Sequence, residues 1–339
     1  MGRRGPWSSR AEIPRLARDR EREPIEHVRV TAMERHACLG RAPSPARSRP
    51  SRRVLARVIP SLSIVLSTLL LSSLSRAGKS FDFDFHDEEY LLPRQHGGGR
   101  AYVPKQVTAD APVPLVVFLH GVNRRNRLHM WLGSGPADLR ARLDKWIAQG
   151  DLPPAVLAAP SQTRDALWPG ALWTGIDLDE FVAAAERAVA GRARISRDQV
   201  IVAGHSGAGC NLEGGILKIA ADRGAIRPIG IVALDTCLDA EVGRALAQAS
   251  DSTRIATYWQ SVIWKRKVVD FAIGFGLVRQ EYPPGSDWFE HVNPKGRWPH
   301  DALVAPSLMQ AMSVLLGTTA TADDVASEAE ASADASLAQ

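Results

Sequence analysis

The stretch QVIVAGHSGAGC, residues 199–210, constrains the rest of the chain more than any other. A β-branched apolar run stops at Gly204, Ser206 follows two residues later, and small residues follow the serine. Read physically, this is a buried strand, a very tight turn and a helix. A serine at the apex of such a turn is pushed out of the sheet and its backbone is strained. Gly204 and Ala208 sit where strand and helix nearly touch, so both must be small. Gly207 sets a backbone N–H beside the serine, at the positive end of the following helix, where it can meet an oxyanion. A glycine-rich turn without chemistry has the same composition, so the rest of the chain has to decide between the two.

The 339 residues carry a formal charge of +5, but the charge is unevenly spread. Residues 1–77 hold 16 basic and 6 acidic side chains, and the remainder holds 26 and 31. The basic character therefore belongs to the first quarter. Residues 1–52 are rich in Arg, Pro and Ser, have few apolar residues and are expected to be disordered. They lack interleaved aromatics and any nucleic-acid module, so no nucleic-acid partner is expected. Residues 53–77 read as a signal peptide. Arg52, Arg53 and Arg57 precede the apolar run 58–74, and Ser75-Arg76-Ala77 gives small residues at the third and first positions before a cut ahead of Gly78. A signal beginning near residue 50 points to a later start of translation, with Met33 as the candidate. The expected location is secreted or periplasmic, and the membrane enters only through the export signal or, if it stays uncleaved, an anchor. The run is short, serine-rich and interrupted by Pro60, which disfavours a stable span. Residues 318–339 carry five acids and no base and read as a disordered acidic tail.

Between these ends, apolar runs alternate with helical patterns. Strands are expected over 81–85, 100–104, 114–119, 154–159, the stretch into Gly204, 229–234, 254–258 and 289–292. Helices are expected over 136–149, 177–191, from the serine turn to about 221, over 240–249 and over 301–316. Leu178, Phe181, Val182, Ala185 and Val189 share one helix face. Residues 261–278 are apolar, basic and broken by glycine, and no element can be assigned to them. Continuous apolar strands alternating with helices imply a mostly parallel central sheet with helices on both faces, one α/β domain over 78–317.

In this setting Gly204-His205-Ser206-Gly207-Ala208 resembles the G-x-S-x-G elbow of the α/β-hydrolase superfamily, with Ala in the last place and Gly209 one residue later. The resemblance spans residues 100–317 and rests on short motifs. It implies the α/β-hydrolase fold, a serine nucleophile at Ser206, then an acid, then a histidine in chain order. Asp235 follows the strand 229–234, at the edge where catalytic groups gather. After the next strand, residues 260–265 contain no carboxylate, which matches members that carry the acid one strand earlier. The alternative role for Asp235 is a helix cap, which Asp239 fits better. His300, just before the last helix, fits the base, with His291 in a strand as its rival. His120 of the His120-Gly121 pair is structural in the family, and the elbow directs His205 away from the reacting group. The resemblance also implies an oxyanion hole from the N–H groups of Val122 and Gly207, with Asn123 as a helper. Cys210 and Cys237 would remain after cleavage and, in an exported chain of this fold, are a candidate disulfide beside the site.

The reading that follows is an exported serine hydrolase that cleaves carboxylic esters through a Ser-His-Asp triad and an acyl-enzyme. An amidase or peptidase acting on cell-wall or other peptides would use the same triad. A non-catalytic binding protein of this fold is the third reading, although such proteins usually lose a triad member. The expected partner is a small-molecule or peptide substrate. No cofactor is expected: the histidines are scattered, and Gly97-Gly98-Gly99 lacks the lysine and helix of a phosphate loop. Trp131, Trp168, Trp173, Trp264, Trp288 and Trp298 fall near expected loops, where they either line a cleft or pack loops onto the core.

Overall fold

The computed structural model describes residues 78–265, 267–279, 287–295 and 298–317. The expected basic segment, signal peptide and acidic tail lie outside the described residues, as does the first of two units, Met1–Val58, into which the chain divides.

Eight strands form one sheet: β1 (Lys79–Phe83), β2 (Gly99–Val103), β3 (Pro112–Leu119), β4 (Val156–Pro160), β5 (Arg194–His205), β6 (Gly230–Leu234), β7 (Arg254–Trp259) and β8 (Trp288–His291). Their order is β1-β2-β4-β3-β5-β6-β7-β8. The pairs β1–β2 and β2–β4 are antiparallel, and every other pair is parallel. The central strands are apolar throughout because alternate side chains serve two cores. Leu115, Val117, Leu119, Val200, Val202, Ile231 and Ala233 face one side. Val116, Phe118, Ile201, Ala203, Val232 and Leu234 face the other.

Helices cover both faces. α1 (Asp87–Tyr90) is a single turn, α2 is Leu139–Gln149, α3 Leu178–Val189, α4 Gly215–Ala221, α5 Ala240–Leu246, α6 Val268–Gly276, α7 Pro299–Ala302 and α8 Val304–Leu315. Phe181 of α3, Ile216 of α4, Val242 of α5 and Phe271 of α6 pack on the first face. Leu143 and Trp146 of α2 and Leu308 and Met309 of α8 pack on the second. From β3 the chain goes to one side to form β4, then crosses to the other side of β3 to form β5. The C-terminal ends of β3 and β5 therefore make the switch point of an open parallel sheet, the place where such folds put their chemistry.

The structure departs from the sequence reading at several element ends. The helix expected from Pro136 starts at Leu139, because the Asp138 carboxylate accepts the Arg140 N–H at 3.0 Å and caps it there. In the unassigned stretch 261–278, residues 261–265 are described as loop and Val268–Gly276 forms α6. The expected final helix is split, and His300 lies in the short α7 rather than in a loop.

At the β1 end, His86 bridges α1 and α3: Nδ1 lies 2.9 Å from Glu89 Oε2 and Nε2 lies 2.9 Å from Glu180 Oε2. Partial burial opposes the charge on His86, but the hydrogen bonds to Glu180 and Glu89 outweigh it and raise the imidazolium pKa above its ordinary 6.5. A raised folded-state pKa contributes stability that is fully present below the unfolded value and is lost as pH rises through the folded one. His86→Ala should therefore lower the melting temperature at about pH 5.5 and leave it close to wild type at about pH 9, because a solvent-accessible pair contributes little once the ring is neutral. Equal deficits at both pH values would show that the charge has no part in holding α1.

Candidate active site

Strand β5 ends at His205 in extended backbone, and Ser206 then turns sharply, with φ at +56°, into a 3-10 turn, Ser206–Gly209. A positive φ at a residue with a side chain is costly and persists only where the surroundings impose it. Two glycines show how. A Cβ on Gly204 would lie 2.6 Å from Cγ2 of Ile216 in α4, so the strand passes the helix without room for a side chain. A Cβ on Gly121, beyond the end of β3, would lie 2.5 Å from Ser206 Cβ and 3.0 Å from Ser206 Oγ. The helix expected to run on from the elbow is interrupted. Asn211 bonds the Leu172 carbonyl and the Thr174 hydroxyl through Nδ2, each at 2.9 Å, and its Oδ1 accepts the Glu213 N–H at 3.1 Å. These side-chain bonds compete with the helix and delay α4 to Gly215. Gly207 thus stands in a 3-10 turn rather than at the start of an α-helix. Its N–H is among the first of the turn, which have no acceptor inside it.

One strand further on, Asp235 follows β6, fully buried and also in the left-handed region at φ +48°. Its N–H donates to the Tyr258 carbonyl of β7 at 2.7 Å. Its Oδ2 lies 2.6 Å from His300 Nδ1 and accepts the Gln260 Nε2–H at 2.8 Å. Gln260, at the edge of β7, turns its Oε1 to the N–H groups of Val262 and Ile263, which fixes the amide toward the carboxylate. Asp239 caps α5 by accepting the N–H groups of Glu241 and Val242 at 3.0 Å, so the capping role falls to it and not to Asp235. Cys210 after the elbow and Cys237 after β6 are joined by a disulfide, their Cα atoms 5.0 Å apart.

The histidines separate clearly. His300 is half-buried, its Nδ1 on Asp235 and its ring edge-on to Trp264 at 4.5 Å between centroids. His291 is exposed on β8, with Nε2 3.0 Å from Ser261 Oγ, and is not brought to Asp235. His120 is buried, which lowers its pKa to about 4 and keeps it neutral. Its Nε2 accepts the Gln162 N–H at 3.0 Å, so the proton sits on Nδ1, which donates to the Gly121 carbonyl at 2.7 Å. His205 departs from expectation. It is not simply directed away: its ring lies 4.4 Å from that of His300, and its Nε2 donates to the His300 carbonyl at 3.2 Å. Burial first, and the neighbouring His300 second, hold His205 well below the ordinary histidine pKa.

Val122 is half-buried next to Gly121. Asn123 is taken up by the fold: Nδ2 donates to the carbonyls of Arg127 and Gln162, and Oδ1 accepts the Arg127 N–H. Its amide holds the loop and is not turned to a substrate. His205, His300 and Asp301 place donor atoms within 4.8 Å of one another, a spacing that suits a metal ion. One of those donors is engaged, His205 Nε2 with the His300 carbonyl, and burial raises the Asp301 pKa, which disfavours its charged form. The tryptophans divide: Trp131 and Trp173 are core residues, while Trp168, Trp264 and Trp298 are exposed.

No family model matches the chain, and no curated protein matches it. Among solved structures it is similar to a ferulic acid esterase, at a TM-score of 0.50 and 13% identity, over 71% of this chain and 98% of that one. It is also similar to the feruloyl esterase module from Clostridium thermocellum complexed with sinapinate (TM-score 0.49, 12% identity, 70% and 88% covered). A third is the fluorophosphonate-binding serine hydrolase F of Staphylococcus aureus (0.46, 13%, 71% and 99%). The chain has the α/β-hydrolase fold. At these identities the likeness concerns the fold alone. Within the α/β-hydrolase fold, Ser206, Asp235, His300 and the Gly121-Val122 loop all stand at the C-terminal edge of the parallel strands.

Two predictions follow from this geometry. Gly121→Ala should lower any turnover at Ser206 by about 100-fold with unchanged circular dichroism, because the added methyl displaces the hydroxyl. An unaffected rate would show that the Gly121 loop does not position Ser206. Cys210 and Cys237 close a loop of separation 27, so the Cys210→Ser/Cys237→Ser variant should lose roughly 3 kcal/mol in urea titration. An unchanged midpoint would mean that the bond contributes nothing.

Proposed function

We propose that the chain is an exported serine hydrolase that cleaves carboxylic esters. The observation that carries this reading is the 2.6 Å bond between His300 Nδ1 and buried Asp235, made one strand away from a serine held in left-handed backbone. A serine hydroxyl is a weak nucleophile that needs a base, and the base needs an orienting acid. Asp235 fixes the His300 tautomer with the proton on Nδ1, leaving Nε2 to accept. Ser206 Oγ attacks the acyl carbon, its proton passes to His300 Nε2, and the carboxylate of Asp235 stabilises the imidazolium. The tetrahedral oxyanion forms against the N–H groups of Val122 and Gly207. His300 then protonates the departing alcohol, which leaves an acyl-enzyme on Ser206. Water, deprotonated by the same nitrogen, releases the acid and restores the serine. Each oxyanion donor is worth on the order of 3 kcal/mol in such a step.

Export is part of the proposal. The basic and apolar pattern of residues 53–77 supports it, as does a disulfide, which persists in oxidising compartments. Among the described residues no helix is long and apolar enough to cross a membrane. Ester chemistry is also what the ferulic acid esterase of similar fold carries out, and exposed Trp168, beside the turn that packs on Gly207, would give an aromatic acid a surface to lie on.

Ser206→Ala should abolish both turnover of p-nitrophenyl acetate and labelling by a fluorophosphonate. Asp235→Asn should lower kcat by about 10⁴-fold, while Asp239→Asn, which alters only a helix cap, and His291→Ala should leave it near wild type. Undiminished labelling of Ser206→Ala would overturn the nucleophile. Loss of activity in His291→Ala but not in His300→Ala would overturn the base.

A further inference from the structure

α6 is apolar on both of its sides. Phe271 and Phe275 point inward and meet the ring of Phe289 on edge strand β8, with centroids 5.5 and 5.1 Å apart. The opposite side carries Val269, Ile273 and Leu277, one turn apart, with 72%, 58% and 61% of their surface exposed. Val262, Ile263 and Trp264, in the loop that leads into the helix, are exposed as well. An outward stripe of this kind has no role in the core of its own chain, and contiguous exposed apolar surface marks a binding face.

We propose that this face docks on an anionic phospholipid surface. The charges beside it carry the choice of partner. Lys265 and Lys267 are exposed between the loop and the helix, and Asp270 is the one acid on the described part of the patch. Residues 78–317 hold 26 basic and 26 acidic side chains, so the charge beside this apolar stripe is more basic than the balance of the domain around it. Aliphatic side chains, a tryptophan and flanking lysines are the composition that seats a helix in the headgroup layer, with the lysines meeting phosphate. Two copies joined through the same face would instead bring their lysines toward one another, a like-charge arrangement that disfavours pairing. The loop that leads into α6 also reaches the candidate site: Trp264 lies against His300, with ring centroids 4.5 Å apart. A docked molecule would therefore hold His300 close to the lipid boundary. The proposal concerns binding and is measured without turnover, so it stands or falls apart from the ester-hydrolase reading.

The test is co-sedimentation of the full-length chain with vesicles of phosphatidylglycerol and phosphatidylcholine, against phosphatidylcholine alone. Every chain tested, the reference included, carries Leu66→Asp and Leu70→Asp and is compared with the same chain begun at Gly78, so that neither the apolar run 58–74 nor the 16 basic side chains of residues 1–77 accounts for the binding. The expected result is binding to the anionic vesicles that weakens in high salt. Ile273→Asp/Leu277→Asp and Lys265→Glu/Lys267→Glu should each weaken it by about tenfold or more with unchanged melting temperature. Equal binding by the Ile273→Asp/Leu277→Asp variant, or equal binding to phosphatidylcholine alone, would overturn the proposal. So would a dimer in sedimentation velocity that this variant dissociates in the absence of vesicle binding, since a second copy would then be the occupant.

Discussion

The carboxylate of Asp235 is the group around which the rest of the site is arranged. It is fully buried, and a buried charge is tolerated only when its acceptor positions are met by donors. His300 Nδ1 and Gln260 Nε2 both reach Oδ2, and they come from chain segments far apart in sequence, α7 and the end of β7. Three consecutive parallel strands thereby meet at one edge: β5 through the bond of His205 Nε2 to the His300 carbonyl, β6 through Asp235 and β7 through Gln260 and the Tyr258 carbonyl. The disulfide between Cys210 and Cys237 joins the first two again, outside the sheet. Two residues of the site, Ser206 and Asp235, lie in left-handed backbone. Such strain persists where neighbours over-determine the conformation, and here Gly121, Ile216 and the disulfide supply those neighbours.

The buried layers were legible because two faces of burial leave a simple trace. The run at 114–119 and the run into Gly204 are continuously apolar, and both are central strands. The amphipathic stripe of α3 reads directly from spacing. What escaped was decided by single side chains whose partners are distant. Asn211 interrupts the helix after the elbow through bonds to residues 172 and 174, which no local pattern reveals. Asp138 moves a helix start that Pro136 suggested. Residues 261–278 defied assignment because α6 is apolar inside and out, so its periodicity is blurred.

The site shows the same division. The tight turn at Ser206, Asp235 after its strand and the late His300 were each expected from their place at a strand or helix end, and the structure brings Asp235 and His300 together. Their polar surroundings were not. Gln260 stands at the strand edge that lacked a carboxylate, and its amide serves the acid of the neighbouring strand. His205 lies in the elbow motif itself, yet its ring packs under His300 and stays neutral there. Asn123, which sequence placed near an oxyanion, spends its amide on the loop. Signals for these roles exist only in three dimensions, because each depends on a residue 25 or more positions away in sequence.

The most direct measurement is proton NMR of the wild-type chain and of Asp235→Asn, with histidine ring nitrogens labelled. A His300 Nδ1 proton shared with a buried carboxylate resonates far downfield and exchanges slowly with water. The account predicts one such resonance in the wild type, coupled to a His300 nitrogen, and its loss in folded Asp235→Asn. Its absence from the wild type, or its persistence in the variant, would contradict the pairing on which the proposed chemistry depends.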